Sequence, residues 1–128
     1  MLNNNRLLSV ALVLFGVTFC LIYPLAMLWP SGWAWHEGSP VSSHYFMMIV
    51  GIYATLGIFM ICAAKNPTGN RSLIWFVIWS SIVHAGVMGL QALGNGMHRG
   101  HLTGDVPALL IVAAVLAFLM RRVDMYIK

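Results

Sequence analysis

The chain has 128 residues, 60% of them hydrophobic and 8% charged, with a mean hydropathy of +0.84. A water-soluble domain is roughly half apolar and about a quarter charged, so too few charges are present to cover a water-facing surface, and a soluble enzyme is excluded. Disorder is excluded by the same hydrophobicity, and two cysteines are too few to staple a small secreted domain. What remains is an integral membrane protein of one domain.

Four apolar segments follow one another, each bounded by charges or by Gly, Pro and Asn. The first, Leu7 to about Leu28, follows Asn3 to Arg6 and has the outline of a signal peptide. Its apolar run is longer than the usual ~7 to 15 residues, and no small-x-small cleavage site precedes Trp29 and Pro30, so it reads as a retained first helix. The second runs from about Tyr45 to Ala64 and the third from Leu73 to about Leu93. Each has the ~20 residues that a helix needs to cross ~30 Å of hydrocarbon. The fourth runs from Val106 to about Val123, but its uninterrupted apolar part ends at Met120 and rises only about 22 Å. It must continue as helix into the tail, or reach the interface through Arg121 and Arg122. Because backbone groups in hydrocarbon must be satisfied within each segment, the expected fold is an all-α, integral membrane four-helix bundle.

Basic residues set the expected orientation. With four spans, Arg6, Lys65, Arg71, Arg121, Arg122 and Lys128 fall on one side and Arg99 on the other, which predicts both termini in the cytoplasm. The net charge of +4 is therefore a topology signal, and no nucleic-acid partner is expected. Trp29, Trp33 and Trp35 fit the outer interface, Trp75 and Trp79 the inner. Cys20 and Cys62 lie at depths too different for a disulfide within one chain.

Small residues predict how the helices meet. The second segment carries Gly51, Thr55 and Gly57, and the third Ser81, Ala85 and Gly89 with Gly86 beside them. Such residues let backbones approach where no hydrophobic force drives association, so the second and third helices are expected to form a tight hairpin around the turn at Asn66 to Asn70. Ala113 and Ala117 offer the same spacing in the fourth.

Function is sought among the few ionisable groups. His84 falls in mid-membrane, with Ser80, Met88 and Gln91 on the same helical face and Tyr53 and Thr18 at similar depth on the neighbouring segments. These define a buried polar stripe in which His84, Tyr53 and Gln91 are candidate cofactor-binding residues. The plainer role for His84 is a neutral imidazole bonded to Tyr53, Ser80 or a carbonyl, serving helix packing.

The other four histidines fall on the outer side with two acids. His36, Glu37, His44, Met47, Met48, His98, His101 and Asp105 form a candidate metal constellation, since imidazole and thioether suit copper, and imidazole with carboxylate suits zinc. Local explanations compete with it: Asp105 before Val106 and Pro107 has the form of a helix N-cap, and the methionines fit as apolar filling. The segment from Trp29 to Ser43 is too aromatic for a solvated linker, and is expected in the headgroup layer or as a lid bearing His36 and Glu37 as acid and base. No G-x-S-x-G, H-E-x-x-H, Walker A or paired carboxylate motif is present to mark an enzyme.

The stretch GIYATLGIFMICAAKNPTGNRSLIWFVIWSSIVHAGVMGLQAL, followed by HLTGDVPALL, resembles an uncharacterised family of small four-helix bacterial membrane proteins, a domain of unknown function. The resemblance implies a bacterial inner-membrane location and a stand-alone fold, and it carries no activity. Small multidrug-resistance exporters share the length and helix number, but they need an acidic residue inside the first helix, and none is there. The leading expectation is a non-catalytic module, either a homo-oligomer or an accessory subunit of a membrane complex, with the lipid bilayer and other membrane subunits as partners. The alternatives are a metal- or cofactor-binding protein that uses the outer cluster, and a small membrane enzyme or transporter for an apolar substrate.

Overall fold

The computed structural model describes residues 2–30, 42–94 and 96–125, and every regular element among them is helical. The helices are α1 (Leu2–Cys20), α2 (Ile22–Leu28), α3 (His44–Ala63), α4 (Arg71–Gly94) and α5 (Asp105–Met125), with 3-10 turns at Thr68–Asn70 and Gly96–Leu102. Three helical stretches are long and apolar enough to cross a membrane, and the bent pair α1 and α2 makes a fourth if it counts as one span.

The first apolar segment is thus two helices, where the sequence suggested one. Their axes differ by 61° across Leu21. Pro24 supplies the cause: it lacks an amide proton for the carbonyl of Cys20 four residues earlier, and its ring crowds that carbonyl. The chain closes α1 instead with the Leu21 amide on the carbonyls of Val17 (3.0 Å) and Thr18 (3.1 Å), then resumes with Leu25 N–H on Leu21 O at 3.0 Å.

The other helix ends follow local chemistry. Ser43 caps α3 by accepting a 3.2 Å hydrogen bond from the Phe46 amide. Between α3 and α4, the Asn66 side chain accepts from Gly69 N–H and Thr68 Oγ1, each at 3.1 Å, while Asn70 Nδ2 donates to the Asn66 carbonyl at 2.8 Å. The turn is as tight as expected. Helix α5 runs on to Met125, so its 21 residues span about 31 Å and the short apolar stretch needs no further device.

The pairing of helices departs from expectation. Helix α1 packs along α3 and α4 along α5, with α1 and α5 joining the two pairs, whereas α3 and α4 barely touch. The tight hairpin of the second and third apolar segments does not form. A methyl group on Gly16 would lie 2.7 Å from the Gly57 carbonyl oxygen, and one on Gly57 would overlap the Gly16 carbonyl, so these two glycines bring α1 and α3 into backbone contact. By contrast, Gly51, Gly86 and Gly89 have open space where a methyl group would sit.

The core lies at the end where the basic residues gather. Its fully buried side chains are Leu8 and Leu12 of α1, Met60 of α3, Ile74, Val77 and Ile78 of α4, and Leu116 and Met120 of α5. At the same end Arg71 pairs with Asp124 at 2.8 Å, tying the start of α4 to the end of α5. The outward surface is apolar along every long helix, with Leu14, Ile52, Phe59, Phe76, Trp79, Leu90 and Phe118 all exposed, as lipid contact requires and water would penalise.

Replacing Gly57 with Ala is expected to destabilise the protein by about 1–3 kcal/mol, because the added methyl overpacks a backbone contact. Gly86→Ala, into open space in a helix interior, is expected to leave stability unchanged or raise it by up to about 1 kcal/mol. Reversible unfolding in mixed micelles compares the two directly.

Candidate functional site

The half of the bundle opposite the basic core contains a cavity of about 550 Å³. It lies where α3 and α4 part, and the bent-away α2 forms one wall through Ile22, Leu25 and Leu28. Helix α3 contributes Tyr45, Phe46, Ile49 and Tyr53, and α5 contributes Ala108, Leu109 and Val112. The lining is mostly apolar, but two polar pairs stand in it.

The first pair links the separated helices. The Tyr53 hydroxyl and His84 Nδ1 lie 2.7 Å apart, a hydrogen bond from α3 to α4. Tyr53 is also braced by Phe19 of α1, ring edge to ring face, with centroids 4.9 Å apart. The second pair sits near the mouth, where His101 Nδ1 lies 2.9 and 2.8 Å from the two carboxylate oxygens of Asp105. Both side chains are nearly buried, at 11% and 8% exposure, which is where an unpaired charge would cost most. The His98 ring stacks on His101 with centroids 6.0 Å apart.

His84 and Tyr53 meet as the matched depth of their segments suggested, and Met88 and Thr18 join them at the cavity. Gln91 is exposed on α4 and does not line the cavity, and Ser80 instead bonds the Val77 carbonyl at 3.2 Å. Of the outer cluster, His98, His101 and Asp105 face the cavity, whereas His44, Met47 and Met48 lie exposed on another face of α3. Among the described residues no group of three His, Cys, Asp or Glu side chains is placed to hold a metal ion. His36 and Glu37, with most of the segment from Trp29 to Ser43 proposed as a lid, lie outside the described residues.

The pairing of His101 with Asp105 adds to the expected site. Asp105 is the first residue of α5 itself, one position inside the N-cap place that its pattern suggested, and its carboxylate pairs with His101 four residues earlier. The spacing of four between an imidazole and an acid at a helix start was the available signal.

The site therefore belongs to a protein whose described residues are all-helical, with three or four helices able to cross a membrane, around an apolar cavity bordered by two polar pairs. The chain belongs to DUF6632, a family of unknown function whose match covers residues 3–127. No curated protein and no solved structure matches it.

Substituting His101 alone with Leu is expected to cost about 3 kcal/mol or more, because it strands a buried carboxylate. The double replacement of His101 and Asp105 by Leu removes that charge as well. It should unfold later than the His101→Leu protein, a reversal that a thermal melt of the three proteins would reveal.

Proposed function

We propose that this chain is a multi-pass membrane protein, with both termini in the cytoplasm, that binds a small apolar or amphipathic molecule in a cavity open toward the outer leaflet. The orientation rests on Arg6, Lys65, Arg71, Arg121 and Arg122 at the core end against Arg99 at the cavity end. The bacterial inner membrane, which the family resemblance implies, is the location we propose with it.

One observation carries the binding reading: the two hydrogen-bonded pairs border about 550 Å³ of space left unfilled by the described residues. A polar pair that serves packing alone is enclosed by side chains. Small-molecule sites instead combine a largely apolar pocket of roughly 300–1,000 Å³ with a few convergent polar groups. The aromatic and aliphatic walls would take up an alkyl or ring system by burial, while the imidazoles and Tyr53 orient its polar end. Copper or zinc at the outer histidines has less support, because the described ligands do not converge.

A homo-oligomer or an accessory subunit is the second reading, and a separate observation favours it. Gly86 and Gly89 leave a small-residue strip on α4 with none of the described residues packed against it, the kind of surface on which a second transmembrane helix docks closely.

The binding reading is tested by blocking the cavity. Ala108 lines it from an exposed position, so Ala108→Trp should fill space without disturbing the core. Calorimetric titration of the protein in nanodiscs with decanol should show saturable binding that the variant loses by at least about tenfold, while its melting temperature stays within a few degrees. Equal uptake by both proteins would end this reading.

A further inference from the structure

We infer that the cavity selects molecules whose apolar chain ends in a hydrogen-bond donor, an amine or a hydroxyl, and discriminates against carboxylates. The inference rests on the binding reading above and adds the chemistry of the ligand's head.

It follows from the way Asp105 holds His101. A carboxylate offers acceptors only, and both of its oxygens lie within 2.9 Å of Nδ1, so Nδ1 carries the ring proton and donates it. With the ring in its neutral form, Nε2 keeps a bare lone pair, and it is the nitrogen that Asp105 does not engage on a side chain lining the cavity. Nε2 can accept a hydrogen bond and cannot give one. The carboxylate keeps unused lone pairs of its own. At this end of the cavity the protein thus presents acceptors, and the group that meets them must donate.

Charge points the same way. No Lys or Arg lines the cavity, so Asp105 is its one fixed charge among the described residues. An incoming carboxylate would be drawn out of water next to a like charge with no cation to offset it. An ammonium would meet that carboxylate in a chamber walled by the rings of Phe19, Trp29, Tyr45, Phe46 and Tyr53, whose faces also attract cations. A hydroxyl lacks the charge but has one further match. In either direction, the hydrogen bond between Tyr53 and His84 leaves one donor free, His84 Nε2–H or the Tyr53 hydroxyl proton, to which the alcohol oxygen can turn.

The test uses three probes with the same chain: decylamine, decanol and decanoic acid, each titrated at pH 8 into the protein in zwitterionic nanodiscs, with the Ala108→Trp protein as the blank for lipid partitioning. The amine should bind tightest, the alcohol next, and the acid at least about tenfold more weakly than the amine. In Asp105→Asn the amine-to-acid ratio should fall below about threefold while decanol still binds. Nitrogen-15 NMR of the wild type should show His101 protonated at Nδ1, a result that decides the tautomer even if the variant fails to fold. An acid that binds as well as the amine, a ratio unmoved in Asp105→Asn, or a proton on Nε2 alone would overturn the inference. If all three probes bind equally, selectivity falls and the binding site stands; if none binds, the site falls with it.

Discussion

The backbone contact between Gly16 and Gly57 commits α1 to α3, and the rest of the arrangement depends on it. Lipid tails are as apolar as leucine, so helices in a membrane gain little from hiding apolar surface and associate through close packing instead. A site where two backbones touch is therefore decisive. With α3 held against α1, and α4 held against α5, the sequence neighbours α3 and α4 are left apart, and the seam between them widens into the cavity. Pro24 completes the opening by turning α2 through 61°, so that it walls the space instead of filling it.

The two halves of the bundle solve opposite problems. At the basic end, unbranched and branched aliphatic side chains from all four long helices meet with no solvent exposure, and Arg71 with Asp124 closes the margin. At the other end apolar surface remains unfilled, and the polar groups that border it are paired across elements: Tyr53 with His84, His101 with Asp105. Such pairing matters because an unsatisfied donor or acceptor in an apolar setting costs about 1–3 kcal/mol. Each pair satisfies itself and still leaves one ring nitrogen or hydroxyl proton uncommitted. The cavity can stand empty without an orphaned group and can engage a guest without breaking either pair.

The spans themselves could be read in the sequence, because length and hydropathy alone decide whether a helix can cross hydrocarbon. Partner choice was less legible. Gly57 was visible as one member of a small-residue face, but its contact is with Gly16, which lies at the same depth on the first segment: each is 12 residues in from its outer end, at Tyr45 and Leu28. Spacing along one helix shows that a close approach is possible, and only matched depth across two helices shows where it occurs. The kink was not foreseen: the first segment reads as one apolar run, although the missing amide of Pro24 was the available signal for a break. At the site, matched depth brought Tyr53 and His84 together correctly. Periodicity grouped His44, Met47 and Met48 on one face of α3, yet the face that turns to the cavity is that of Phe46, Ile49 and Tyr53. A helical wheel shows which residues share a face but not which face turns inward.

The position of the cavity also bears on what the protein can do with an occupant. Beyond Tyr53 and His84 the helices close on Leu12, Met60, Ile78 and Leu116, all buried to 2% exposure or less. The polar groups His98, His101 and Asp105 are concentrated where the cavity meets the 3-10 turn and the start of α5, so the proposed guest would keep its head there while its chain enters the seam. That geometry suits an amphipathic molecule taken from the adjacent leaflet and returned to it. The same buried core that stabilises the bundle fills its other end, where α1, α3, α4 and α5 are packed most tightly and would have to separate for the proposed site to open on that side.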